Sequence, residues 1–120
     1  MGAPVVHFEI MGGQGSLLEE FYKALSGWRI DSNNPMKYGM VDTGGPGGIN
    51  GGVGTSQDGK NRVSLYIEVE NLDAALAKAE KLDGTTILPP SQVPVGPTLA
   101  MFSDLAGDVT GPLFGKGVAQ

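Results

Sequence analysis

The single histidine of this 120-residue chain, His7, stands in V-V-H-F-E-I with Glu9 two positions on. Side chains alternate faces along an extended strand, so His7 and Glu9 share a face with Val5 while Val6, Phe8 and Ile10 take the other. An imidazole beside a carboxylate suits metal ligation or contact with a small ligand, although a lone strand histidine commonly does no more than hydrogen-bond a neighbour. The chain has no cysteine, which removes disulfides, zinc–thiolate sites and thiol nucleophiles. With one histidine, close to the N-terminus, no Ser-His-acid arrangement is suggested, and G-x-S-x-G does not occur. Neither the phosphate loop G-x-x-x-x-G-K-[ST] nor a dinucleotide fingerprint opening a helix is present.

The elements that must position His7 and Glu9 belong to an ordinary soluble domain, 40% hydrophobic and 18% charged. A chain of this length buries roughly two thirds of its unfolded surface, so residues 1–120 are expected to fold as one domain without staples. No run approaches the ~20 apolar residues of a membrane helix, and the opening MGAPVVHFEI has no positively charged n-region. No membrane association is expected, and the location is read as cytoplasmic. The formal charge is −5 and the basic residues are scattered singly, so no nucleic-acid partner is expected.

The residues from Pro4 to Ile10 read as a strand. Ser16 and Glu19 make an S-x-x-E capping box that starts a helix, along which Leu17, Leu18, Phe21 and Leu25 form an apolar stripe. Gly27 ends it. An extended segment begins at Trp28, Asn33-Asn34-Pro35 is a turn, and Lys37–Asp42 and Ile49–Thr55 are strands. Twenty glycines are unusual, and those between Gly39 and Gly59 are spaced by Met40, Val41, Ile49 and Val53. This pattern favours strands joined by a turn, with glycine wherever backbone, ligand or a second strand comes close.

After Asp58-Gly59 the grammar restarts. Arg62–Glu70 alternates, with Val63, Leu65, Ile67 and Val69 on one face and Ser64, Tyr66 and Glu68 on the other. Asn71 is an N-cap, Leu72, Ala75, Leu76, Ala79 and Leu82 form a helical stripe, and Gly84 ends the helix. Thr85–Leu88 is extended and is stopped by Pro89-Pro90; Thr98–Ser103 and Val109–Phe114 are the last strands. Laid over each other, His7-Phe8-Glu9-Ile10 matches Tyr66-Ile67-Glu68-Val69, and Leu25–Ile30 matches Leu82–Ile87. The fold class is therefore α+β, two βαβββ modules over 1–57 and 62–120, each needing its twin or a partner chain to cover its sheet. The match also pairs Glu9 with Glu68, acceptors suited to a cationic or hydroxylated ligand.

In VVHFEI, LLEEFYKALSGWRI, YGMVDT with its Gly-rich following strand, YIEVENLDAALAKAEKLDGT and SDLAGDVTGPLF, the chain resembles the vicinal oxygen chelate superfamily of glyoxalase I, extradiol dioxygenases and bleomycin-resistance proteins. The resemblance implies a curled mixed sheet around a concave cavity, usually in a homodimer, with a small organic molecule as partner. It also implies, in the metal-dependent members, four ligands of the His/Gln, Glu, His, Glu kind polarising a vicinal pair of substrate oxygens. Carried over, those positions read His7, a glycine in Asn50-Gly51-Gly52, Ser64 (or its face-mate Tyr66) and Gly111. One ligand residue remains.

The expectation is a small-molecule-binding protein of the glyoxalase/bleomycin-resistance type with no cofactor and no functional metal site. Its ligand would meet His7, Glu9, Tyr38, Ser64, Tyr66, Glu68 and Met101. Trp28 and Phe102 are weighed as pocket-lining but lean to core. The rival is a metal-dependent lyase or isomerase with a divalent metal on His7, Glu9 and Glu68. A regulatory protein-interaction module is a third reading that no residue demands.

Overall fold

The computed structural model describes residues 2–92, 98–107 and 111–115, with two helices and eight strands among them. The chain divides into two compact units, one of residues His7–Val63 and one of the residues from Ser64 onward together with those up to Val6.

The first unit holds most of β1 (Val5–Gly12), then α1 (Gly15–Ser26), β2 (Arg29–Asp31), β3 (Gly39–Asp42) and β4 (Gly51–Thr55). Its strands lie in the order β2-β3-β4-β1. β1 and β4 run parallel, with Phe8 opposite Gly51 and Glu9 opposite Gly52, and the other pairs are antiparallel. The period-2 alternation expected of β1 is what the structure has. Phe8 is tilted against Trp28 and Trp28 stacks on Tyr22 of α1, each with ring centroids 5.4 Å apart. Val41 and Val53 are buried on that helix-covered face. Trp28 is thereby an aromatic packing residue.

Three local expectations for this unit are corrected. The capping box does not form: α1 starts two residues earlier, at Gly15, with Gln14 as N-cap in place of Ser16 and no side-chain cap. Thr55 does part of that work across the sheet, its Oγ1 accepting from Gly15 N at 2.9 Å. Gly15 is needed there because a Cβ would meet Thr55 N at 2.7 Å. Glu19, expected to reach back to Ser16, is buried instead. The apolar stripe faces outward, with Leu17, Phe21 and Leu25 exposed and Leu18 alone of the four half-buried. The helix turns this way because Gly15 and Glu19 hold the inward side against β4 and Gly39. The third correction concerns β3, which starts at Gly39 and leaves Lys37 and Tyr38 in the turn before it. Gly27 does end α1, in the left-handed region at φ 69°, donating to Lys23 O at 3.0 Å.

The second unit holds β5 (Arg62–Val69, from Ser64 on), α2 (Leu72–Lys81), β6 (Thr85–Gln92), β7 (Thr98–Ser103) and β8 (Gly111–Gly115). The strand order is β5-β8-β7-β6, with β5 parallel to β8 and the rest antiparallel. Leu72, Leu76 and Ala100 form its core, with Ile67, Val69, Ala75 and Phe102 packed on it, so Phe102 is core. Asn71 caps α2 as expected, accepting from Ala74 N at 2.9 Å.

At the other end Asp83, not Gly84, takes the left-handed conformation at φ 74°. Gly84 instead closes the helix by donating to Ala79 O at 2.8 Å, in a spot where a Cβ would meet Ser103 O at 2.8 Å. Pro89-Pro90 does not stop β6. That strand is last in the order of its unit and slips register between Leu88 and Ser91, and an edge strand with an irregularity is where proline fits a sheet. On β5 the apolar face is not the buried one throughout: Val63 and Leu65 are exposed, while Ser64 and Tyr66 are buried. Val109 and Thr110, where the last strand was expected to begin, lie outside the described residues.

Candidate functional site

The face of the first unit's sheet opposite α1 carries His7 and Glu9, and the turn before β3 lays Tyr38 across them. Tyr38 Oη lies 2.9 Å from His7 Nε2 and 2.9 Å from Glu9 Oε2. The His7 and Tyr38 rings are close to parallel, 18° apart, with centroids 6.4 Å apart. The three side chains are half-buried.

Proton positions in this chain of bonds follow from donor and acceptor counting. A carboxylate only accepts, so the one phenolic proton of Tyr38 goes to Glu9. Tyr38 Oη then accepts from His7, which places a proton on Nε2. Burial lowers the His7 pKa from 6.5 to about 4, so the ring is neutral at pH 7 and that proton is its only one. The order is therefore His7 Nε2–H, Tyr38 Oη–H, Glu9 carboxylate: a neutral donor pair ending on an anion.

Two features that the sequence reading did not connect to the site hold Tyr38 there. Asn34 clamps its main chain from both sides, Nδ2 donating to Tyr38 O at 2.6 Å and Oδ1 accepting from Tyr38 N at 2.9 Å. Lys37, just before it, sits in the left-handed region at φ 54°, with its N–H bonded to Asn34 O at 3.0 Å. The N-N-P turn was the legible trace of this arrangement, but a turn signal does not say which side chain it aims. The second feature is Gly52. A Cβ built on Gly52 falls inside the Tyr38 phenol, and one on Gly54 would lie 3.4 Å from the Tyr38 ring. Gly51 does the same on the opposite face for the Phe8 ring, which a Cβ there would meet at 2.6 Å. Gly51 and Gly52 are thus places of close approach, Gly51 to the main chain and ring of Phe8 and Gly52 to the phenol of Tyr38.

Of the other expected site residues, Ser64, Tyr66, Glu68 and Met101 belong to the second unit. Ser64 and Tyr66 expose only 3% and 6% of their surface, while Glu68 and Met101 are half-buried. A groove of about 330 Å³ in that unit is lined by Ala75, Ala79, Leu82, Phe102 and Leu105 among others, and contains none of the expected site residues. In the first unit, Met40, Asp42, Arg29 and Asp31 help line a shallower hollow of about 250 Å³.

The residues present do not fit a divalent metal at His7. The β4 position that would supply a carboxylate is Gly52, its side-chain space is filled by Tyr38, and His7 Nε2 is engaged by that same phenol. Among the described residues no three His, Cys, Asp or Glu side chains are placed to hold an ion. Also among the described residues, no helix is long and apolar enough to cross a membrane.

No protein-family profile and no curated protein matches the chain. Solved structures do match it. A hypothetical protein from Bacillus halodurans C-125 superposes with a TM-score of 0.72 at 11% identity, covering 100% of this chain and 99% of the other. A methylmalonyl-CoA epimerase in complex with methylmalonyl-CoA and NH4+ gives 0.66 at 15% identity, with 98% of each chain covered. Methylmalonyl-CoA epimerase from Mycobacterium tuberculosis gives 0.65 at 12%, covering 92% of this chain and 86% of that one. At such identities the likeness concerns the fold alone, which this chain shares with the methylmalonyl-CoA epimerases.

Proposed function

We propose that this chain is a small-molecule-binding protein of the glyoxalase/bleomycin-resistance type that works without a metal. The observation carrying the reading is the His7–Tyr38–Glu9 chain of hydrogen bonds on the sheet face opposite α1. In a vicinal oxygen chelate fold the first-strand histidine is the residue a cation would need, and here its ring is committed to a phenol. What remains is a carboxylate flanked by hydroxyl and imidazole, which suits a cationic or hydroxylated organic molecule. Ser64, Tyr66, Glu68 and Met101, of the second unit, are the further residues proposed to meet the ligand. The outward stripe Leu17, Phe21 and Leu25 gives a homodimer an apolar surface to cover. A cytoplasmic location accords with the absence of cysteine.

A thermal-shift screen of small amines and polyols against the purified chain tests the reading. Hits that raise the melting temperature of the wild type and lose that effect in Glu9→Gln and Tyr38→Phe support it. Hits that stabilise those variants equally, or a screen in which only a protein partner is captured, would count against it.

A further inference from the structure

We propose that Tyr38 is a built-in replacement for a metal ion: its hydroxyl occupies the coordination space at His7 and bars divalent cations from it, and removing it reopens the site. Three independent observations converge on this. The Tyr38 hydroxyl makes two bonds, to His7 Nε2 and Glu9 Oε2, both at 2.9 Å, and these are the candidate cation ligands of β1. The strand position opposite Glu9 is Gly52, where any side chain would collide with the phenol. The Tyr38 main chain is fixed by the two Asn34 bonds and the left-handed Lys37, so the phenol is delivered to this place rather than resting there by chance.

The chemistry of exclusion is simple. A metal at Nε2 needs that nitrogen's lone pair, and Nε2 here carries the proton it donates to Tyr38. A metal taking Glu9 Oε2 would have to compete with the Tyr38 proton that this oxygen accepts. Displacing the phenol means breaking both bonds and moving a ring whose backbone is clamped. With the phenol gone, His7 and Glu9 give two protein ligands, enough for weak uptake and short of the three or more of a stable divalent site. Gly52 and Tyr38 therefore form one substitution in two parts: a small residue where a ligand would stand, and an aromatic hydroxyl that fills the gap.

The inference rests on the metal-free part of the proposed function but is tested apart from it, with a metal as the only added probe. Tag-free wild-type chain, Tyr38→Ala, Gly52→Glu and the double variant Tyr38→Ala/Gly52→Glu would be titrated with Ni²⁺ by calorimetry, with circular dichroism to monitor folding. The wild type should show no saturable uptake. Tyr38→Ala should show weak saturable uptake that the wild type lacks over the same Ni²⁺ range. The double variant, which adds a carboxylate near His7, should bind one equivalent at least tenfold more tightly than Tyr38→Ala and lose it on adding His7→Ala. Gly52→Glu alone should melt well below the double variant, because only the latter has room for the new side chain. Stoichiometric Ni²⁺ on the wild type, lost in His7→Ala, would overturn the proposal. So would a folded Tyr38→Ala that binds Ni²⁺ no better than wild type, whether or not the double variant folds. The first result would return a cation to His7, the second would show that Tyr38 is not what keeps cations away, and both leave organic-ligand binding to be judged by its own screen.

Discussion

The phenol of Tyr38 occupies the space that a side chain on Gly52 would need. The two residues come from different elements, a turn and a strand, and each makes sense only with the other. A Gly52→Ala substitution should therefore evict the ring, breaking its bonds to His7 and Glu9. The expected loss is about 2–3 kcal/mol, combining overpacking with stranded polar groups. In a Tyr38→Ala background the same substitution should cost far less. Urea denaturation of the four proteins in a double-mutant cycle would read a coupling above about 1 kcal/mol. Additive effects would show that the ring moves away freely.

The clamp on Tyr38 gives two substitutions of opposite sign. Asn34→Ala removes two side-chain bonds to the Tyr38 backbone and should destabilise by about 1–2 kcal/mol. Lys37→Gly removes the strain of a left-handed non-glycine residue at φ 54°. That relief exceeds the added freedom of glycine in the unfolded chain, leaving a net stabilisation of about 0.5 kcal/mol. Denaturant midpoints for both variants, compared at constant m-value, check the pair of signs.

The alternation V-V-H-F-E-I was enough to put His7 and Glu9 on one face, because a period-2 pattern fixes facing without knowledge of partners. The same holds for Leu72 and Leu76 at the core of the second unit and for the Asn71 cap. Local rules failed where a distant residue competed for the same group. Ser16 and Glu19 have the spacing of a capping box, but Gly15 packs on β4 and Thr55 takes over the helix N-terminus. Leu17, Phe21 and Leu25 have helical spacing, yet periodicity says only that they share a stripe, not that the stripe turns inward. The meeting of Tyr38 with Glu9, 29 residues away, was beyond reach for a similar reason: it depends on how Asn34 folds the turn and on which β4 glycine lies beneath. A glycine-rich strand announces close approach without naming what approaches.

The outward stripe on α1 yields a prediction about assembly. Leu17, Phe21 and Leu25 are 61%, 58% and 68% exposed, so replacing them removes little intramolecular packing. Phe21→Lys together with Leu25→Lys should leave the stability of an isolated chain within about 0.5 kcal/mol. If copies pair through this face, light scattering at micromolar concentration should fall from the dimer mass to 12.4 kDa in the variant. A wild type already at the single-chain mass would rule out the homodimer.

Acid should weaken the fold through His7. Its pKa is depressed to about 4 in the folded chain by burial, against 6.5 in its ordinary state. Between those values the unfolded chain binds a proton at this site that the folded chain refuses, so stability rises with pH there. The contribution is fully present above about pH 6.5, is lost progressively as pH falls towards 4, and changes no further below that. Because the ring is only half-buried, solvent screening reduces the effect to the order of 1–2 kcal/mol. Carboxylates titrate in the same window, so the diagnostic quantity is a difference. The stability of the wild type minus that of His7→Gln, measured by urea denaturation at pH 7, 5.5 and 4, should shrink at each step down. The glutamine amide can still donate to Tyr38 Oη but has no proton to gain, so its variant should lack this part of the pH slope. A constant difference across the three pH values would mean that the folded His7 titrates normally, and that its ring is not held neutral against the Tyr38 hydroxyl.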